Sequence, residues 1–262
     1  MANVRDIYEF LDRVAPIGLK AGKDNVGFLL GRGGSDVSKI IVSLDITNDV
    51  ISEAIDERAG LIVSHHPLFF ALNAITDSDS TGAKLLLLAE NGIAAVCMHT
   101  NLDAAAGGVN DVLARTVGIE NPQALAEDGK AAEDGFSCGR YGYLKSPAAI
   151  CEYLILLKSV LNARGLRYHD AGRNVYKVAV VGGSGGGEFK NALEKECDTF
   201  ISADIKYHLF LEAKELGVNL IDGDHFCTEN VIIEPIAGKL RKAFPEINVM
   251  VSKTHEQTVR FL

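Results

Sequence analysis

Short β-branched runs separated by single amphipathic helices constrain the fold of this chain more than any other feature. Two such runs, Lys39 to Leu44 and Gly60 to Ser64, flank a segment that Thr47 can cap as a helix. The same order recurs where a predicted helix over Leu85 to Ala89 precedes a strand over Ile93 to Met98. Repeated strand–helix–strand units predict an α/β fold with a mainly parallel sheet covered by helices.

A second α/β unit is predicted after a change in composition. Between Gly118 and Gly135 the chain is rich in Ala, Glu, Asp and Gly and shows little periodicity, which indicates a boundary. Beyond it, Ser146-Pro147 is expected to start a helix, and Tyr176 to Val181 to form a strand. We therefore predict one α/β domain over residues 1–125 and 222–262 and a second over residues 126–221, with mixed, mainly parallel sheets.

Charge and apolar patterning exclude several classes of protein. The 262 residues contain 26 Lys and Arg against 35 Asp and Glu, and the net charge of −9 disfavours nucleic-acid binding. Apolar runs are far shorter than the roughly 20 residues of a membrane-spanning helix, and Arg5, Asp6 and Glu9 interrupt any secretory signal. We expect a cytoplasmic protein without a membrane partner.

The chain has five cysteines and no CxxC pair, so the cysteines are predicted to be buried free thiols: Cys97, Cys138, Cys151, Cys197 and Cys227.

Polar side chains follow three predicted strands at the points where those strands end. His65 and His66 come directly after one strand, and Asp103 follows the next. His225 and Glu229 follow a third, four residues apart, so an early helix start would place both on one face. If Thr228 were the helix cap instead, Glu229 would lie in the first turn. Active sites of parallel sheets collect at such carboxyl ends, so all three clusters are candidates for one site.

Each of these features also has a purely structural interpretation. The adjacent histidines could be one packed and one solvated ring, and Asp103 could cap the helix that follows it. The glycine-rich run from Gly182 to Gly187 could cradle a phosphate or form a flexible turn, and Asp24 to Gly27 could be a turn as well. The remaining histidines lack a partner motif and are interpreted as ordinary surface or packed residues: His169, His208 and His255.

The three clusters together offer three imidazole nitrogens and two carboxylates. This donor set suits zinc, manganese, iron or a similar divalent ion, and five donors exceed the needs of one tetrahedral site. Two ions bridged by a carboxylate would use all five and keep positions open for water or a phosphate. His99 and Asp45 are the nearest candidates for handling protons beside the ions.

Five motifs that span nearly the whole chain resemble a known family. They are DNVGFLLG (Asp24 to Gly31), SLDIT (Ser43 to Thr47), SHHPLFF (Ser64 to Phe70), HTNLDAAAGGVND (His99 to Asp111) and DHFCTE (Asp224 to Glu229). In this order they resemble the Nif-three-like proteins, often labelled GTP cyclohydrolase I type 2 homologues. The resemblance implies a dinuclear metal site, two α/β units and a ring-shaped homohexamer. By position, the implied metal ligands are His65, His66, Asp103, His225 and Glu229, with Glu229 as the bridge.

Two positions depart from the pattern of that family. Asp224 stands where members commonly have Gly, and Ser202-Ala203-Asp204 replaces a Thr-Gly-Glu-like sequence. The leading functional hypothesis is a metal-dependent hydrolase with two divalent ions that acts on a small phosphorylated or nucleotide-like compound. The alternative is a non-catalytic scaffold that binds or delivers metal or binds a partner protein.

Overall fold

The computed structural model describes residues 2–126 and 138–262. Residues 127–135 of the predicted boundary stretch lie outside the described residues. The helices are α1 (Val4–Val14), α2 (Asn48–Asp56), α3 (Ser80–Glu90), α4 (Thr100–Ala104), α5 (Val109–Thr116), α6 (Ile150–Val160), α7 (Phe189–Glu194), α8 (Tyr207–Leu216), α9 (His225–Glu229) and α10 (Ile233–Ala243). The strands are β1 (Gly27–Leu30), β2 (Lys39–Ser43), β3 (Leu61–Ser64), β4 (Ala94–Cys97), β5 (Ile119–Ala124), β6 (Arg140–Ala148), β7 (Arg167–His169), β8 (Val175–Val180), β9 (Thr199–Ser202), β10 (Asn219–Asp222) and β11 (Asn248–Val251).

The first compact unit comprises residues 1–105 and 233–256. Its sheet has the strand order β1-β4-β3-β2-β11, in which β2, β3, β4 and β11 are parallel and β1 pairs antiparallel with β4. Thr47 caps α2 as predicted, because its side chain accepts a hydrogen bond from the Val50 amide. Because four parallel strands end at the same edge, residues that follow them are brought together there. Buried apolar side chains pack α2 and α3 against one face of the sheet: Ile41, Val50, Ile51, Ile62 and Leu88.

The second compact unit comprises residues 106–232 and 257–262. Its sheet has the order β5-β6-β8-β9-β10-β7, with β8, β9 and β10 parallel. Val178 and Val180 of β8 belong to one buried apolar cluster, whereas Ala179 and Val181 belong to another. Since neighbouring strand residues point to opposite faces, both faces of this sheet are covered. The α/β class with two mixed sheets is therefore confirmed. The second sheet is not mainly parallel as predicted, because three of its five strand pairings are antiparallel.

The division between the units differs from the predicted one. The sequence predicts changes at 125/126 and 221/222, whereas the compact units change at 105/106, 232/233 and 256/257. Helix α5 and strand β5 belong to the second unit because β5 pairs antiparallel with β6, where Ile119 lies opposite Leu144. Composition shifts only from Gly118 onward, after α5 has already ended, so it marks a later point in the chain than packing does.

Two sequence expectations about α6 are wrong. Ser146 and Pro147 lie inside β6, and α6 begins only at Ile150. The pairing of β6 with β8 is irregular between Tyr143 and Ala148, and proline is tolerated where the regular ladder is interrupted. Cys151 is exposed because it lies on the outward side of α6, while the other four cysteines are buried as expected.

Among the described residues, no helix has the length and apolar character needed to cross a membrane.

Candidate metal centre

The carboxyl edge of the first sheet carries most of the predicted polar residues. His65 and His66 follow β3, His99 precedes α4, and Asp45 follows β2. Asp103 lies within α4 and does not cap the next helix, since Gly108 holds that position. The fold therefore places these side chains at one edge because their strands are parallel neighbours.

Three imidazoles form a compact cluster at this edge. The ring centroids of His65 and His66 are 5.1 Å apart, and that of His99 lies 5.2 Å from His65 and 5.6 Å from His66. Their ligand nitrogens all lie within 4.8 Å of one another, so the described residues include a group that could hold a metal ion. Asp103 Oδ1 lies 3.6 Å from His65 Nε2, close to the roughly 3.4 Å that separates two ligands of a tetrahedral ion.

Hydrogen bonds fix the orientation of the two adjacent histidines. His65 Nδ1 donates to the Met98 carbonyl oxygen at 2.7 Å, and His66 Nδ1 donates to Asp45 Oδ1 at 2.7 Å. A second imidazole, His255, donates from Nε2 to Asp45 Oδ2 at 3.0 Å. The bonds at Nδ1 place the lone pair of His65 and of His66 on Nε2, as carbonyl and carboxylate partners do for histidines at metal sites. Burial alone would raise the pKa of Asp45, but hydrogen bonds from His255 and His66 lower it well below its usual range.

His99 is oriented in the same way by a carboxylate from another part of the chain. Its Nδ1 donates to Asp24 Oδ2 at 2.8 Å, and the Thr100 amide and hydroxyl donate to the same oxygen. Burial alone would raise the pKa of Asp24, but the hydrogen bonds from His99 and Thr100 lower it well below its usual range. Asp24 is therefore ionised near neutral pH and fixes the His99 tautomer.

The second unit holds the other two predicted ligands on α9. His225 is the first residue of this helix, and its Nε2 lies 3.1 Å from Glu229 Oε2. The early helix start is thus correct, because the i, i+4 spacing brings imidazole and carboxylate to one face. Asp204, which follows β9, accepts a hydrogen bond from His225 Nδ1 at 2.6 Å. The ring therefore presents Nε2 to the same side as the buried Glu229 carboxylate.

The electrostatics of this pair favour a cation. The hydrogen bond to Glu229 raises the pKa of His225 to about 9 despite burial, and Asp204 adds to the increase. Near neutral pH both ring nitrogens of His225 therefore carry a proton. A divalent ion that binds Nε2 must displace the proton on that nitrogen.

The two departures from the family pattern have structural roles in the second unit. Asp224 has φ of +72°, a region that favours glycine, and its side chain caps α9 by accepting from the Cys227 amide at 3.1 Å. The cap offsets part of the backbone strain. Asp204 is the group that orients His225, so it acts on the site although it is not one of the proposed ligands.

The glycine-rich loop after β8 packs directly on Glu229. A Cβ atom built on Gly183 would lie 2.0 Å from Glu229 Oε1 and 3.2 Å from His225 Nε2. Three amides of the loop donate to side-chain oxygens: Gly182 to Asn110 (2.9 Å), Gly183 to Thr228 (3.1 Å) and Gly185 to Ser202 (2.9 Å). These three amides are already used inside the unit, which favours an ordered turn over a phosphate cradle.

The structure thus brings together His65, His66 and Asp103 in the first unit and His225 with Glu229 in the second. That all five hold one pair of ions stays a prediction. Sequence reasoning missed three groups that orient ligands or their neighbours. Asp24 and Asp204 lie in segments that the family resemblance singles out, but nothing local assigns either a role, and His255 has no motif around it. The partners of Asp204 and His255 lie 21 and 210 residues away.

Comparisons with known proteins agree with this architecture. The profile of the Duf34/NIF3 (NGG1p interacting factor 3) family matches residues 2–258. A GTP cyclohydrolase 1 type 2 homolog of Clostridium perfringens is 32% identical over 262 residues, covering 99% of each chain. A Staphylococcus aureus hypothetical protein of known structure superposes with a TM-score of 0.90 at 26% identity, covering 100% of this chain and 99% of that one. A Bacillus cereus protein related to NIF3 shares the fold with a TM-score of 0.91 at 23% identity and 99% coverage of both chains. The chain is therefore a member of the Duf34/NIF3 family.

Proposed function

We propose that this chain is a hydrolase that requires two divalent metal ions and acts on a small phosphorylated or nucleotide-like compound. One observation carries the proposal: four imidazoles each donate Nδ1–H to a carbonyl or carboxylate oxygen and so keep Nε2 as the ligand nitrogen. Ordinary packed histidines do not need this shared arrangement, whereas metal-binding histidines regularly show it.

The proposed ligands of the two ions are His65, His66, Asp103, His225 and Glu229, with Glu229 as the bridge. Bound divalent ions would acidify a water molecule and stabilise negative charge on phosphate oxygens. Within each unit the donor separations support the assignment, at 3.6 Å between His65 and Asp103 and 3.1 Å between His225 and Glu229.

The charged groups around the proposed ligands hold protons at defined atoms. Asp45 keeps a proton on His66 Nδ1, and Asp204 keeps one on His225 Nδ1. Because hydrogen bonds lower the pKa of Asp45, it is a poor proton acceptor near neutral pH. We therefore assign Asp45 to orienting His66 and not to general base catalysis.

A screen for hydrolysis tests the proposed activity. The purified protein would be supplied separately with manganese, zinc, iron or cobalt and offered phosphate esters and nucleotides. We expect turnover of at least one compound, its loss after chelation, and its loss in His66→Ala and Asp103→Ala together with the metal. His169→Ala is the control and should change neither. Background rates in every condition, with metal bound, would instead support the non-catalytic scaffold.

Metal content gives a prediction that does not depend on the substrate. We expect about two ions per chain, because five donors exceed one site. Glu229→Ala should lose more metal than His99→Ala, since only Glu229 is proposed as the bridging ligand. Plasma emission spectrometry measures both variants, and equal metal content would contradict the assignment of Glu229.

The resemblance to the family also supports a closed homohexamer, which is a separate proposal. Closed symmetric assemblies are common among soluble homo-oligomers, so a closed hexamer agrees with the general trend. Light scattering at micromolar concentration should give six times the 28.1 kDa mass of the chain. A monomeric mass would refute this proposal without affecting the metal assignment.

A further inference from the structure

We infer that two loops of the first unit, residues 16–26 and 67–79, form a rim that binds a planar aromatic group of the substrate, with Phe70 as the side chain that stacks on that group. The same compound carries the phosphate. The inference rests on the proposed function for the position of the phosphate, and it narrows the substrate class to nucleotides and related anionic aromatic compounds.

The exposed apolar side chains of the first unit are confined to these two loops. Large apolar side chains are mostly buried in folded proteins, and a concentration of them at the surface marks a binding site. Phe70 is the most exposed of this set, at 67%. Among the described residues of the first unit, those with a large exposed apolar side chain are Ile17, Leu19, Phe70, Leu72 and Ile75.

Hydrogen bonds hold the two loops in place. Asn25 Nδ2 donates to the Phe69 carbonyl oxygen at 2.7 Å and so joins one loop to the other. The first loop is also fixed to α4, because the Ala21 amide donates to Thr100 Oγ1 at 2.9 Å. Phe69 packs against the apolar core of the unit. The backbone beside Phe70 is therefore anchored, although the Phe70 ring itself reaches solvent.

The ring of Phe70 lies next to the candidate ligand cluster. Its centroid is 6.1 Å from that of His99 and the ring planes meet at 64°, an edge-to-face contact that leaves most of the Phe70 ring exposed. Nucleobases stack on exposed aromatic side chains whatever their hydrogen-bonding pattern, since every base has a π face. One small molecule can therefore place its base on Phe70 and its phosphate at the proposed ions.

Two lysines in the first loop favour an anionic ligand over an uncharged apolar one. Lys20 Nζ donates to the Asp24 carbonyl oxygen at 2.7 Å, and Lys23 is exposed. The ammonium groups attract the phosphate of a nucleotide, whereas an uncharged aromatic compound gains nothing from them. The apolar side chains and the two cations of the rim together match an anionic aromatic compound.

Ligand binding to Phe70→Ala tests the inference. The probes are the monophosphates of adenosine, guanosine, cytidine and uridine, with ribose 5-phosphate as the analogue without a base, and calorimetry measures each affinity with manganese or zinc supplied. We expect at least one nucleotide to bind about tenfold more tightly than ribose 5-phosphate. Phe70→Ala should remove this advantage and leave the affinity for ribose 5-phosphate unchanged, whereas Phe70→Tyr should keep it. Tyr168→Ala, which removes an exposed aromatic ring of the second unit, is the matched control and should change neither affinity.

Fluorescence gives a second measurement of the same contact. The chain contains no Trp, so Phe70→Trp introduces a single indole at the rim. Stacking of a base should change the emission of this indole, while ribose 5-phosphate should leave it unchanged. The emission and the mass by light scattering are also recorded without ligand over a range of protein concentrations.

The outcomes separate this inference from the proposed function. The inference is overturned if every nucleotide binds no more tightly than ribose 5-phosphate, if Phe70→Ala keeps the full advantage, or if nucleotides leave the emission of Phe70→Trp unchanged. An emission that changes with protein concentration together with the mass would show that a second copy covers the rim, and this too would overturn the inference. Nucleotides that bind through Phe70 but are not hydrolysed would uphold the inference and contradict the proposed hydrolase. Hydrolysis of a phosphate ester with no dependence on Phe70 would do the opposite.

Discussion

Replacing Gly183 by alanine should remove much of the metal that we propose Glu229 to bind. The new methyl group would lie 2.0 Å from Glu229 Oε1 and 2.9 Å from its carboxyl carbon, closer than nonbonded atoms can approach. Glu229 is buried on α9, so its carboxylate cannot simply move into solvent. We expect the metal content of Gly183→Ala to approach that of Glu229→Ala, measured by plasma emission spectrometry.

A matched glycine separates this clash from backbone strain. Gly183 has φ of +61°, and an alanine at such an angle costs about 1–2 kcal/mol by itself. Gly217 has φ of +66°, but a Cβ there would meet nothing within 4 Å. Gly217→Ala should therefore lose stability and keep its metal. If both variants kept full metal content, Gly183 would have no role in placing Glu229.

This result would also explain why the glycine-rich loop follows β8. The motif is compatible with a phosphate cradle, with a flexible turn, or with close approach of the backbone to another group. Only the structure identifies the third case, because Gly183 and Glu229 are 46 residues apart in the chain. Local sequence shows that a backbone must be unhindered, but it does not show which group lies against it.

The same limit explains which parts of the site could be predicted. Apolar periodicity located β2, β3 and β4, and parallel pairing then places Asp45, His65 and His99 at one edge. The spacing of His225 and Glu229 allowed two geometries, and only the observed start of α9 decides between them. These features could be predicted from the sequence because they depend on periodicity and on order along the chain.

Pairings between side chains that are distant in the chain could not be predicted from the sequence. His255 has no motif around it, yet it donates to Asp45 because β11 lies beside β2 in the sheet. Asp24 belongs to a loop before β1, and its contact with His99 requires β1 to lie beside β4. The order of strands in a sheet is set by packing of whole elements, which no short window of sequence contains.

The largest expected loss of stability comes from a buried ion pair in the second unit. Arg140 Nε donates to Asp111 Oδ1 at 2.7 Å, and the two side chains are only 11% and 12% exposed. Arg140→Met would leave the Asp111 charge buried without its cation, at a cost of about 3–5 kcal/mol. Chemical denaturation followed by circular dichroism measures this loss.

A less buried ion pair provides the matched control for Arg140→Met. Lys39 and Glu57 approach to 2.6 Å, with side chains that are 22% and 37% exposed. Pairs of this kind contribute at most about 1 kcal/mol, so Lys39→Ala should shift the denaturation midpoint much less. A similar shift in the two variants would show that burial of the Arg140 pair has no special energetic effect.

The pH dependence of the Arg140→Met effect gives a further check on the same pair. Burial alone would raise the pKa of Asp111, but hydrogen bonds from Arg140 and the Gly107 amide lower it below its usual value. A carboxyl group with a lowered folded-state pKa stabilises the fold above its unfolded pKa of about 3.9 and loses this contribution as the pH falls further. The stability difference between Arg140→Met and the unmodified protein should therefore be largest near neutral pH and shrink below about pH 4.

The double variant Asp111→Asn/Arg140→Met leaves no buried charge unpaired, so it should regain part of the lost stability and show no such acid dependence. An unchanged difference from pH 7 to pH 3 would show that Asp111 does not titrate with unfolding, contrary to the assigned pair.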